Sequence, residues 1–247
     1  VEEPSEVEFA PPQLVRPSTI LPALREPILL KTKDGLHLIG EVASPISQDR
    51  SHAIVMLHPL PTHGGMMDSH LLKKAANRLP AMAGITVIRF NTRGTESEQG
   101  RSEGEFGGGL TEGSDVEAAI SFALQELKVE NLWVVGWSFG TDLAIKYARD
   151  PKVSGLILLS PPLRFSLAED LEFWRSDGRP IIALVPEFDD FLQPEAARER
   201  FAVAPQAEVV EIVGGKHLWV GEPFVYRALT EIVKRVRPEK LPLPTTY

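Results

Sequence analysis

Short apolar runs alternate with longer segments of helical period along most of this chain. Residues 53–57 form a continuous apolar run, the mark of a strand buried on both faces. Residues 85–90, 132–135, 153–159, 181–185 and 208–213 read as further strands. Between them, 70–82 carries Leu71, Leu72, Ala75, Ala76 and Leu79 at helical spacing, and 139–149, 194–201 and 223–236 are also helical. In the helix predicted over 114–127, Ser114 is the expected N-cap, with Glu117 completing a capping box. Upstream, 28–30 and 36–42 bracket Asp34-Gly35, a hairpin turn between two strands.

The alternation after that hairpin predicts an α/β fold. Its mostly parallel eight-stranded sheet would carry one antiparallel N-terminal hairpin strand, with helices on both faces. Ligands of such sheets bind at the carboxyl ends of the strands. Six prolines in the first 27 residues predict an irregular arm over 1–27, because proline fixes φ and removes a donor. The domain then runs over 28–237, and Pro238, Pro242 and Pro244 mark a tail over 238–247.

The composition of the 247 residues, 43% hydrophobic and 24% charged, is that of a globular protein. The net charge of −8 has the wrong sign for a nucleic-acid binder. No run of about 18 apolar residues predicts a membrane span. The start Val1-Glu2-Glu3-Pro4-Ser5-Glu6 does not read as a secretory leader. Zero cysteines leave no thiolate nucleophile, disulfide or zinc ribbon, and fit a cytoplasmic setting.

Chemistry enters at Gly136-Trp137-Ser138-Phe139-Gly140, which follows a predicted strand and opens a predicted helix. In that setting Gly-x-Ser-x-Gly forms a sharp turn that lifts the serine hydroxyl above the sheet. A serine needs a base, and histidine titrates near neutrality. Of His37, His52, His58, His63, His70 and His217, only His217 follows Ser138, as the order Ser–acid–His of this motif requires. The acid belongs after the strand 181–185, where Glu187, Asp189 and Asp190 cluster; Asp189 is the choice and Asp190 its rival. An oxyanion site needs two N–H donors: Phe139, after the nucleophile, and Leu60, which lies between Pro59 and Pro61. His58 and His63 with Asp68 or His70 make a weaker metal reading. Arg93 reads as a structural ion-pair partner, with a substrate carboxylate as the alternative, and Asp142 as solvated or paired on its helix. Trp137, Trp219 and Phe139 read as packing or pocket wall.

From about residue 28 to 236 the chain resembles the α/β-hydrolase superfamily. It resembles most the small bacterial serine hydrolases of the dienelactone-hydrolase-like and prolyl-oligopeptidase-related group. The segments that carry the resemblance are His58-Pro59-Leu60-Pro61 with Gly64-Gly65, Arg89-Phe90-Asn91-Thr92-Arg93-Gly94, Ser102-Glu103-Gly104-Glu105-Phe106, Gly136-Trp137-Ser138-Phe139-Gly140 and His217. It implies Ser138 as nucleophile, Asp189 as acid, His217 as base, and oxyanion donors at Leu60 and Phe139. Dienelactone hydrolases themselves use cysteine, which this chain lacks. Only 161–179 is available for a cap, with one short helix over 168–174, so a small lid or none is expected. The function implied is hydrolysis of carboxylic esters through an acyl-enzyme on a small-molecule ester or acyl substrate, with no cofactor and no metal. A peptidase, a thioesterase or a non-catalytic binding domain on the same fold is the alternative, and the oligomeric state stays open.

Overall fold

The computed structural model describes residues 11–247. In chain order the strands are β1 (Leu24–Lys31), β2 (His37–Ser44), β3 (His52–Leu57), β4 (Thr86–Phe90), β5 (Glu96–Ser97), β6 (Gly100–Arg101), β7 (Asn131–Trp137), β8 (Val153–Leu159), β9 (Ile181–Pro186) and β10 (Ala207–Ile212). The helices are α1 (His70–Ala83), α2 (Gly113–Ser121), α3 (Phe139–Tyr147), α4 (Ala168–Asp177), α5 (Pro194–Phe201) and α6 (Glu222–Val236). Eight strands make one sheet in the order β1-β2-β4-β3-β7-β8-β9-β10, while β5 and β6 form a separate small ribbon. β1, β2 and β4 pair antiparallel, and all pairs from β4 across to β10 are parallel.

The period-two alternation of strand side chains divides the core between the two faces. Ala53, Val55 and Leu57 of β3 join a buried cluster with residues of α2, α3, α4 and α5. Ile54 and Met56 point the other way, into a cluster with α1 and α6. A central strand sandwiched in this manner is apolar at every position, which is why 53–57 is legible as a run.

The structure corrects two boundaries. β1 begins at Leu24, pairing with Ser44, so residues 24–27 of the predicted arm belong to the sheet. Pro27 sits inside this edge strand opposite Glu41, where a missing N–H is tolerated. The part of the arm over residues 1–10 lies outside the described residues. Residues 13–15 lie against the C-terminal residues: Gln13 and Tyr247 exchange backbone hydrogen bonds, both 2.9 Å, and Val15 N–H donates to Thr245 O.

The second correction concerns α2. The residue at its N-cap is Glu112, which makes no side-chain cap, and Ser114 lies within the first turn. The Glu112 carboxylate instead accepts the Gly107 N–H at 2.6 Å, and Glu117 reaches Lys33 at 2.6 Å. The preceding glycine-rich turn has taken the carboxylate the helix end would have used. Among the described residues no helix is long and apolar enough to cross a membrane.

Candidate active site

The turn between β7 and α3 is built by steric necessity. A Cβ on Gly136 would lie 2.4 Å from the Gly140 carbonyl oxygen, and one on Gly140 would lie 2.1 Å from that of Leu57. Only glycine permits these approaches. Ser138 between them has φ 52° and ψ −118°, a conformation L-residues rarely take and one that is held by surrounding structure. Its N–H donates to Leu159 O at 2.9 Å, tying the turn to β8.

Ser138 Oγ lies 2.8 Å from His217 Nε2. On the other side of the ring, His217 Nδ1 lies 3.0 and 2.9 Å from Asp189 Oδ1 and Oδ2. A carboxylate on Nδ1 keeps the proton there, so Nε2 accepts from the serine hydroxyl. Burial pushes the Asp189 carboxyl up. The hydrogen bond from His217, the Phe191 N–H and the imidazole's charge together hold it below the usual carboxylate range. Asp189 is buried while its neighbour Asp190 is exposed, so the structure brings the first carboxylate, not the second, to the ring.

The loop that carries His217 is held by two tryptophans whose sequence positions read as packing or pocket wall. Trp137 Nε1 donates to the His217 carbonyl at 3.1 Å, and Trp219 Nε1 donates to Ser160 Oγ at 2.9 Å. Ser160 itself was missed. The one signal for it is its position just past β8, at the carboxyl end where chemistry is expected.

After β3 the chain turns sharply, with both His63 N–H and Gly65 N–H donating to Leu60 O at 3.0 Å. A Cβ on Gly65 would fall 1.9 Å from the Pro59 carbonyl oxygen, so this return also requires glycine. Leu60 and Phe139 line one cleft with Ser138, and among the described residues neither amide has a backbone acceptor. His58 is buried; Nδ1 donates to Pro59 O at 2.7 Å and Nε2 accepts the Thr92 N–H at 3.1 Å. Burial pushes its pKa down to about 4.

The metal reading falls on these partners. His58 has both nitrogens engaged, His70 Nε2 donates to Leu218 O, and Asp68 pairs with Arg89. Among the described residues no group of three or more His, Asp or Glu side chains is arranged to hold a metal ion. Arg93 is buried between Asp115 and Asp34, at 2.8 and 2.9 Å, which makes it structural and removes it from any substrate carboxylate. Asp142 is not solvated: it is fully buried and accepts both the N–H and the Oγ–H of Ser166. Burial pushes its carboxyl up.

The cleft above Ser138 has a volume of about 250 Å³. Its lining includes Pro59, Leu60 and His63 from the segment after β3, Pro162, Arg164 and Phe165 from the segment after β8, and Leu218 and Phe191, the last packed on His217. The lining residues come from loops, a short 3-10 turn over Pro61–His63 and the start of α3, and none from α4, whose Trp174 is buried in the core with its Nε1 donating to Ile145 O.

Sheet order, strained serine and open cleft define a class of protein. Residues 52–221 match the family described as alpha/beta hydrolase fold, and the chain belongs to that family. An alpha-beta serine hydrolase homologue from Coxiella burnetii superposes with a TM-score of 0.71 at 23% identity, over 85% of this chain and 96% of that one. XC6422 from Xanthomonas campestris, an a/b serine hydrolase without lid, gives 0.66 at 24% identity, over 92% and 100%. The Pyrococcus furiosus esterase Pf2001 gives 0.69 at 17%, over 87% and 93%. At these identities the likeness is one of fold. The uncharacterized protein RP471 of Rickettsia prowazekii is 31% identical over 136 residues, which are 54% of this chain. The match spans about half, 55%, of the length of that curated relative.

Proposed function

We propose that this chain is a serine hydrolase that cleaves carboxylic esters through an acyl-enzyme. The observation that carries the reading is the hydrogen-bond relay Ser138–His217–Asp189, at 2.8 and 2.9 Å, opening on a largely apolar cleft. Ser138 Oγ attacks the acyl carbon as its proton passes to His217 Nε2. Asp189 stabilises the imidazolium that forms. The oxyanion takes hydrogen bonds from the Leu60 and Phe139 amides, a contribution of about 3–4 kcal/mol per donor in comparable sites. Collapse breaks the carbon–oxygen bond, and the imidazolium returns its proton to the departing alcohol. Water then attacks the acyl-enzyme with His217 again as base, releasing the acid and restoring Ser138.

Two features favour an ester of modest size. The cleft is small, and most of its wall is proline, leucine and phenylalanine, with few groups to pair a peptide backbone. A small-molecule acyl substrate, a cytoplasmic setting and kinship with the dienelactone-hydrolase-like group belong to the same proposal. The test is turnover of p-nitrophenyl butyrate by wild type and Ser138→Ala. An acyl burst lost in the variant, with a fluorophosphonate adduct mapped to Ser138 by mass spectrometry, is the expected result. Equal rates in both proteins would leave a binding domain of the same fold.

A further inference from the structure

Among the residues that line the cleft, Arg164 alone carries a permanent charge, and no carboxylate lines it. This is unexpected in a chain of net charge −8. Among the described residues Arg164 is exposed, and its guanidinium makes no salt bridge; it lies over the Phe191 ring, 5.6 Å from the centroid. Phe191 in turn packs on His217, the ring centroids 4.5 Å apart. These two distances bound the separation of guanidinium and imidazole to about 10 Å.

The backbone that presents Arg164 is itself anchored. Two residues on, Ser166 donates through both N–H and Oγ to buried Asp142, on the first turn of the helix that follows Ser138. The cation is therefore mounted on a segment pinned to the nucleophile's own helix. A guanidinium offers planar, paired donors that match a carboxylate.

We propose that Arg164 is a specificity-determining residue that selects acyl groups ending in a carboxylate, making the preferred substrate a monoester of a short dicarboxylic acid. This inference rests on the hydrolase reading above. The bound on the separation of guanidinium and imidazole limits the length: an extended six-carbon diacid separates its two carboxyl carbons by about 6 Å, which with one ion-pair contact falls within it.

The test compares mono-p-nitrophenyl adipate with p-nitrophenyl hexanoate, equal in acyl length and differing in the terminal charge, each corrected for its rate in buffer. Wild type is expected to favour the adipate about tenfold in kcat/KM at low salt, with the preference shrinking at high ionic strength. Arg164→Gln brings the ratio to about one, Arg164→Lys keeps part of it, and Arg164→Glu inverts it. A purely structural role, such as covering Phe191, would change both esters together and leave the ratio standing. A wild-type ratio near one, or one unchanged in Arg164→Gln, overturns the inference while the hydrolase reading survives. No turnover of either ester, or the same turnover in Ser138→Ala, overturns both. Because Arg164 is exposed, these variants are expected to fold, and thermal melts check it.

Discussion

Two loops of this molecule each lead a histidine off the carboxyl end of a strand, and they put it to opposite uses. His217, beyond β10, has a carboxylate on one ring nitrogen and a serine hydroxyl on the other. His58, directly after β3, has a carbonyl on one and a backbone N–H on the other. Both rings are buried. The difference lies in the partners and the surroundings: an acid lies across the His217 ring, whereas around His58 desolvation favours the neutral ring against the hydrogen bond to Pro59 O. His58 thus serves as a fixed strut between the β3 and β4 loops, holding the turn that carries Leu60.

The contrast is broken most severely from the His217 side. Replacing His217 or Ser138 by alanine is expected to lower kcat by about 10⁴–10⁶-fold on an activated ester, with either replacement nearly as damaging as both, since the two act as one unit. Asp189→Asn should lose about 10³–10⁴-fold because it favours the wrong tautomer. Asp190→Asn should change kcat little, and steady-state kinetics on the pair distinguishes the two carboxylates. An equal loss from both would return Asp190 to consideration.

The His58 side is sharpened by pH and stability rather than by rate. Its folded pKa of about 4 lies below the ordinary 6.5, so the unfolded chain takes up the proton first. The stabilisation is complete above pH 6.5 and is lost as pH falls toward 4, amounting to about 3 kcal/mol. Urea unfolding of wild type and His58→Gln across that window should show a steeper decline in wild type. The smallest effect belongs to Asp142, where burial raises the carboxyl pKa and the sign reverses. The folded state holds the proton more firmly, so stability falls as pH climbs through the raised pKa. Asp142→Asn, still able to accept from Ser166, should therefore gain on wild type as pH rises above the ordinary carboxylate range in the same assay.

Much of this arrangement is visible in the linear order of residues. The central strands are legible because both of their faces are covered, which makes every position apolar. β1 is not: as an edge strand its residues 24–27 are half-buried or exposed and include Pro27, so only 28–30 stand out. The Gly-x-Ser-x-Gly turn is legible because its glycines answer a local steric demand. Asp142 is not, because its burial depends on Ser166, 24 residues away. Arg93 could be assigned as structural, but its partners Asp34, in the β1–β2 turn, and Asp115, in α2, are distant in sequence.

Local chemistry along the chain therefore determined the element types and the Gly-x-Ser-x-Gly turn, which depend on spacing between near neighbours, and the order of residues left His217 as the one histidine after Ser138. Tertiary structure decided which of two adjacent carboxylates meets the imidazole, which tryptophans brace its loop, and which arginine is left facing the cleft. Those outcomes depend on how strand order brings distant loops to one edge of the sheet, and a backbone turn of a single residue is enough to send Asp189 inward and Asp190 into water.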